Sequence, residues 1–280
     1  MAVPARATIL NPVCPLRARA TRIRRLALEM VTRARASHIG SALSIADIVA
    51  ALYGEVMRFN PANPDWADRD RLLLSKGHSC VAIYAALADA GFFPVELLQD
   101  YGRDGSLLMH HISHKVPGVE FSTGSLGHGL PFGTGKALAA KRRGKDWRTF
   151  VILGDGEMAE GSNWEAMMFA AHHGLDNLIG IVDYNKLQSL TTIAKTLGLE
   201  PLADKIAAFG WDVREVDGHD HRAIADALAE TPRESGKPTM LIAHTIKGKG
   251  VSFMEDQVAW HYRNPSADDL ALALGELADA

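Results

Sequence analysis

The apolar positions Ile23, Leu26, Met30 and Val31 recur at helical spacing in "RIRRLALEMVTRA", with arginines on the opposite face, which predicts an amphipathic helix ending near "SHIG". "SIADIVAALYGEVM" predicts a second helix behind a serine cap, and "NPANPDWADRD" a loop rich in Pro, Asn and Asp. "RLLLS" is short, apolar and bounded by polar residues, as a buried strand would be. It is followed by the turn "KGH" and the helical "SCVAIYAALADAG". Residues 101–125 lack periodicity and are rich in Gly, His and Ser, and long ordered loops of this kind are often functional. "SLGHGLPFGTGKALAAKRRG" then reads as a helix whose glycine-loaded first half implies close approach of its backbone to a neighbour.

The pattern becomes regular beyond that point. "TFVILGDG" is a strand and turn, "MAEGSNWEAMMFAAHHGL" a helix, "NLIGIVDYN" a strand and "LADKIAAFG" a helix. "WDVREVDG" and "PTMLIAHT" are two further strands with the helix "HRAIADALAE" between them. Strands alternating with helices imply an α/β fold: a mostly parallel sheet with helices on both faces. Residues 16–280 are expected to form a single domain. Residues 1–15 are expected to be a flexible tail, although the eight arginines before His38, with no acid before Glu29, give the start some likeness to an organellar transit peptide.

Composition narrows the function more by exclusion than by indication. Of 280 residues, 47% are hydrophobic and 22% charged, and the net charge of -3 supplies no basic field for nucleic acid or an anionic membrane. No apolar run has the length of a membrane span. Cys14 and Cys80 lie far apart and outside any C-x-x-C, which argues against disulfides and thiolate zinc and favours a soluble, cytoplasmic protein.

Chemistry enters through "GDG" at the end of one strand and "DYNK" at the end of the next. In right-handed βαβ units the loops leaving parallel strands collect along one edge, so Asp155 and Asn185 are expected to meet there. Gly154 and Gly156 let the backbone turn sharply, leaving main-chain N–H groups free for an anion. A carboxylate, an amide oxygen and a nearby carbonyl form an incomplete, all-oxygen shell suited to magnesium shared with a phosphate. A lone Asp-Gly is more often an ordinary turn, and only the paired placement raises the pattern above that.

"GDGE" followed by Asn185 resembles the motif of thiamine-diphosphate enzymes. "SHIGSALSIADIV", "LLLSKGHS", "PGVEFSTGSLGHGL", "GDGEMAEGSNWEA", "DYNKLQ", "HTIKGKGVSFME" and "WHYRNP" together resemble the N-terminal part of transketolase, over nearly the whole chain beyond its first fifteen or so residues. The resemblance implies that Asp155, Asn185 and the carbonyl of Leu187 hold Mg²⁺, with Ca²⁺ or Mn²⁺ as substitutes, and that Gly156 meets the diphosphate. It implies that Ser41, His78, Lys247 and His261 line the diphosphate and thiazolium, and that Gly124, Ser125 and Leu126 hold the aminopyrimidine end. His38, His111 and His261 would face the reacting sugar, and Glu160 would lie at a subunit contact. The chain stops at Ala280, soon after "WHYRNP". It therefore looks like the N-terminal subunit of a split transketolase, needing a C-terminal partner subunit, in an α2β2 assembly, to move a two-carbon ketol unit between sugar phosphates.

Other readings stay open beside this one. They are a related ketolase or synthase with another donor, a non-catalytic module that binds cofactor or partner, and, more distantly, a zinc hydrolase. His110, His114, His128, His172 and His173 are read as surface or core residues, and "HHISH" lacks a helical H-E-x-x-H. "DGHDH" looks metal-like but is explained by Asp220 capping the next helix. A P-loop at Lys136 fails because Leu130 and Ala137 stand where Gly and Ser or Thr are required. A dinucleotide fingerprint from Gly127 fails at Phe132.

Overall fold

The computed structural model describes residues 16–278; the expected N-terminal tail lies outside the described residues. In chain order the helices and strands are α1 (Leu16–Ala34), α2 (Ile39–Ser44), α3 (Ala46–Ala51), β1 (Arg71–Leu74), α4 (Cys80–Asp89), α5 (Gly129–Arg142), β2 (Thr149–Gly154), α6 (Gly161–His172), β3 (Leu178–Tyr184), α7 (Ile193–Thr196), α8 (Leu202–Ala208), β4 (Asp212–Asp217), α9 (His221–Ala229), β5 (Thr239–His244) and α10 (Ala267–Glu276). The sheet is five-stranded in the order β1-β2-β3-β5-β4, and every pairing is parallel.

Parallel strands covered on both faces bury both sets of side chains, and β1, β2 and β3 are buried almost throughout. Alternate residues divide the core in two. Leu72, Leu74, Phe150, Ile152, Ile179, Ile181, Leu241 and Ala243 pack with residues of α1, α2, α3, α4 and α9. Leu73, Val151, Leu153, Val182, Met240 and Ile242 pack with residues of α5, α6 and α8. The glycine-rich start of α5 serves this second layer. A Cβ on Gly129 would come within 2.4 Å of Ser75, just after β1, and one on Gly133 within 2.6 Å of Val151 in β2, so the close approach foreseen there is to the sheet.

The second predicted helix departs from expectation. It begins at Ile39, breaks at Ile45 and ends in a π-helical turn, Leu52–Val56. Ser44 is not its cap: the hydroxyl donates to the carbonyl of Ser41 and, at 2.7 Å, to the buried carboxylate of Asp183. Ser44 instead closes α2, and the N-cap position of α3 falls to Ile45, which makes no side-chain cap bond. Asp220 does cap α9, accepting from the amides of Arg222 and Ala223. The final helix α10, which periodicity did not announce, opens with a reciprocal capping box between Ser266 and Asp269.

Candidate active site at the carboxyl edge of the sheet

The ends of β2 and β3 bring the two halves of the motif together. Gly154 pairs with Asp183, and the amide of Asp155 donates to the Asp183 carbonyl at 3.3 Å. The Asp155 carboxylate accepts from the amide of Gly156 at 2.7 Å and from that of Lys186, the residue after Asn185. Asp155 and Asn185 therefore share one small space. A Cβ on Gly156 would lie 2.9 Å from Gln188, which shows how tightly the turn meets the loop after β3.

Beneath them is a buried ionic floor. Lys76 pairs with Asp183, and both side chains are almost wholly buried. Asp183 also accepts from Ser44, from Thr245 at 2.5 Å and from the Asn185 amide at 3.0 Å. Burial opposes the charge on Asp183, but Lys76, Thr245 and Ser44 outweigh it and hold the carboxyl below its usual range. Because Asp183 takes the Asn185 NH₂ group, the amide oxygen of Asn185 is left to accept, and it does so from the Leu187 amide at 3.1 Å.

Asp155 lacks such compensation. Burial, then the neighbouring Asp183, pushes its carboxyl up to about 7, against the pull of the Lys186 and Gly156 amides and Lys76. A buried, under-neutralised carboxylate beside an amide oxygen and a backbone carbonyl is a fitting all-oxygen donor set for a hard dication. The Leu187 carbonyl has a competing donor: Lys247 Nζ lies 3.3 Å from it, 3.1 Å from the Gln188 carbonyl and 3.0 Å from His261 Nδ1. Burial and then Lys76 bring this ammonium down to about 8.

Four imidazoles form one wall. The ring centroids of His38 and His78 are 5.1 Å apart, those of His38 and His261 5.0 Å, and those of His38 and His111 6.0 Å. His38 holds its place in the left-handed region, at φ 71°, with its amide donating to the His261 carbonyl at 2.8 Å. Burial lowers all four rings: His38 to about 4 with help from His111 and Lys247, His261 to about 3 with help from Lys247 and His38, His78 well below its usual value, and His111 also. All four are neutral near pH 7. Ser41 is buried beside them and shares a 2.7 Å hydrogen bond with Ser79, while its carbonyl accepts from Lys76.

The remaining predicted residues lie on the rim. Gly124 borders the wall, since a Cβ there would meet His111 at 3.5 Å; Gly124 and Ser125 are exposed and Leu126 half-buried. Glu160 is exposed at the start of α6 and packs beside Gly127. "HHISH" is divided among three environments: His110 lies against Tyr101, His111 joins the wall, and His114 bonds the Ser122 hydroxyl at 2.7 Å.

Glu157 is among the participants missed from sequence. Glu157 is buried and accepts from Ser75, from the amide of Gly127 at 2.8 Å and from that of Gly154 at 3.2 Å, while Ser75 in turn accepts from Gly129. Burial raises this carboxyl despite those donors. It joins the rim loop to the Gly-Asp-Gly turn. Its signal was the acid inside "GDGE", masked because an acid in a turn usually faces water.

The transketolase thiamine diphosphate binding domain matches residues 17–277. The chain belongs to the transketolase family. It is 44% identical to the 6-deoxy-6-sulfo-D-fructose transketolase subunit SqwG of Clostridium sp., over 91% of this chain and 93% of that one. It is 42% identical to a Phocaeicola vulgatus subunit of apulose-4-phosphate transketolase, over 91% of each. Transketolase from Leishmania mexicana superposes with a TM-score of 0.89 at 34% identity, covering 95% of this chain and 42% of that one. This family member is thus a transketolase-type enzyme subunit with a thiamine-diphosphate-binding fold, and it spans less than half the length of such solved transketolases. No helix among the described residues is long and apolar enough to cross a membrane.

Proposed function

We propose that the chain binds the diphosphate and metal end of thiamine diphosphate and, with a separate partner subunit, transfers a two-carbon ketol unit from a ketose phosphate to an aldose phosphate. The observation that carries this reading is the meeting of Asp155 with the Asn185–Lys186 backbone at adjacent strand ends, over the buried Lys76–Asp183 pair. Asp155, the Asn185 amide oxygen and the Leu187 carbonyl would hold Mg²⁺, with Gly156 presenting its turn to the diphosphate. Lys247 would then move its charge from the Leu187 carbonyl towards the phosphate oxygens. Ser41, His78 and His261 would line the thiazolium, and Gly124, Ser125 and Leu126 the aminopyrimidine.

Thiamine diphosphate supplies the carbanion chemistry that breaks and forms the ketose carbon–carbon bond. This chain's own task is orientation and hydrogen bonding. His38, His111 and His261, kept neutral by burial, offer N–H donors to sugar hydroxyls or to developing negative charge without adding a fixed positive charge. The need for a partner is supported by the relatives that match nearly end to end and are named as single subunits. An α2β2 assembly with Glu160 at a subunit contact is part of the same reading. The sugar is left to experiment, since relatives named for a sulfofructose and for apulose 4-phosphate are almost equally similar.

The test is reconstitution with the partner, Mg²⁺ and thiamine diphosphate, followed by donor profiling. Transfer from at least one ketose is expected, and inactivity with every donor would count against transfer. Asp155→Ala should abolish Mg²⁺-dependent cofactor binding measured by calorimetry; unchanged binding would place the metal elsewhere.

A further inference from the structure

Lys247 rides on a strap, residues 245–250, that follows β5 and is anchored almost residue by residue. The Thr245 amide donates to the Tyr184 carbonyl at 3.2 Å, and its hydroxyl to Asp183. The Gly248 amide donates to the Gly40 carbonyl at 2.9 Å. Between them, the amide of Ile246 has an unusual acceptor: it donates to Nε2 of His219 at 2.8 Å. His219 belongs to the loop between β4 and α9, far in sequence from the rest of the site.

A backbone amide can only donate, so this bond requires the Nε2 atom to be unprotonated. The opposite nitrogen explains how that state is kept. His219 Nδ1 lies 2.6 Å from Asp47 Oδ2, where only a proton on Nδ1 makes a hydrogen bond with the carboxylate. Asp47 is itself fixed by both terminal nitrogens of Arg24, at 3.0 and 2.5 Å, and His221 Nε2 lies 2.9 Å from its other oxygen. Arg24 and Asp47 are buried side chains of α1 and α3, so the ring is held from the helical layer and in turn holds the strap.

We propose that His219 is a positioning residue: with its tautomer set by Asp47, it fixes the Ile246 amide and so places Lys247 for the cofactor diphosphate. The proposal rests on the reading of Lys247 given above. Its geometry distinguishes two conservative replacements. An asparagine amide reaches the Nδ1 position and keeps a donor for Asp47 but leaves the Ile246 amide without an acceptor. A glutamine amide reaches the Nε2 position and can accept from Ile246 while giving up Asp47.

Amide hydrogen exchange on the full chain, and the thiamine diphosphate dissociation constant of the partner-reconstituted enzyme with Mg²⁺, are measured for the parent, His219→Asn, His219→Gln and Lys247→Met. His219→Asn is expected to speed exchange at Ile246 and weaken cofactor binding by about tenfold, the weight of one ordinary hydrogen bond, whereas His219→Gln stays within about twofold of the parent in both. Unchanged values in His219→Asn, or equal damage in both His219 variants, would overturn the proposal, since a merely structural histidine does not separate them. Lys247→Met reads the underlying assignment alone. If it binds cofactor normally, the diphosphate role of Lys247 fails and placement for the cofactor fails with it, while the exchange contrast still decides whether His219 holds the strap.

Discussion

Burial lowers all four imidazoles of the wall, helped by lysines at His38, His78 and His261 and by His110 at His111. Their folded values lie below the unfolded value near 6.5, so below that pH the unfolded chain takes up protons that the folded chain refuses. The stability these rings contribute is full above about 6.5 and is lost as pH falls towards about 4 for His38 and about 3 for His261. Asp155 acts in the opposite sense, because its raised value lets the folded chain hold a proton first. A difference measurement removes that shared contribution. His261→Asn is expected to lose less stability than the parent between pH 6.5 and 4.5, read as the change in urea midpoint; parallel losses would show that His261 does not titrate below its unfolded value.

The elements that carry the site are short turns, and what holds them is a carboxylate rather than a core. Glu157 binds the amides of Gly127 and Gly154 together with the Ser75 hydroxyl, so its removal leaves buried donors with nothing to meet. Glu157→Ala should cost roughly 3 kcal/mol in denaturant unfolding, with Glu157→Gln costing less because one acceptor oxygen survives. A loss below about 0.5 kcal/mol would mean that water replaces the carboxylate. This also marks how much could be read in advance. Asp155 and Asn185 were legible because strand periodicity and parallel topology place them at one edge. Glu157, Asp183 and His219 were not, because each acts through partners distant in sequence, and nothing in local pattern tells a buried acid or imidazole from an exposed one. Ser44 misled because a hydroxyl before an apolar run looks like a cap, whereas here it closes the preceding helix and its hydroxyl donates to Asp183. The helix α10 escaped notice because its apolar stripe is short and only one of its residues, Ala273, is buried.

At the scale of the molecule, Gly124 and Ser125 of the rim loop and Glu160 at the start of α6 are exposed, and α6 exposes apolar side chains as well. Met168 is 58% exposed and Phe169 42%, while Trp164, one turn earlier, lines a cavity with Leu197, which is itself 59% exposed. Apolar side chains grouped around one helix, next to an acid that the family resemblance assigns to a subunit contact, suit a surface covered in the assembled enzyme better than one left in water. Met168→Glu separates the two cases. On an open surface the exchange changes unfolding stability by no more than about 0.5 kcal/mol, whereas within an interface it buries an unpaired charge and weakens assembly by tenfold or more. Sedimentation of the variant mixed with its partner, beside thermal unfolding of the variant alone, reads both quantities. Weakened assembly with unchanged unfolding is the expected pair, and full assembly would place the contact on another face of the chain.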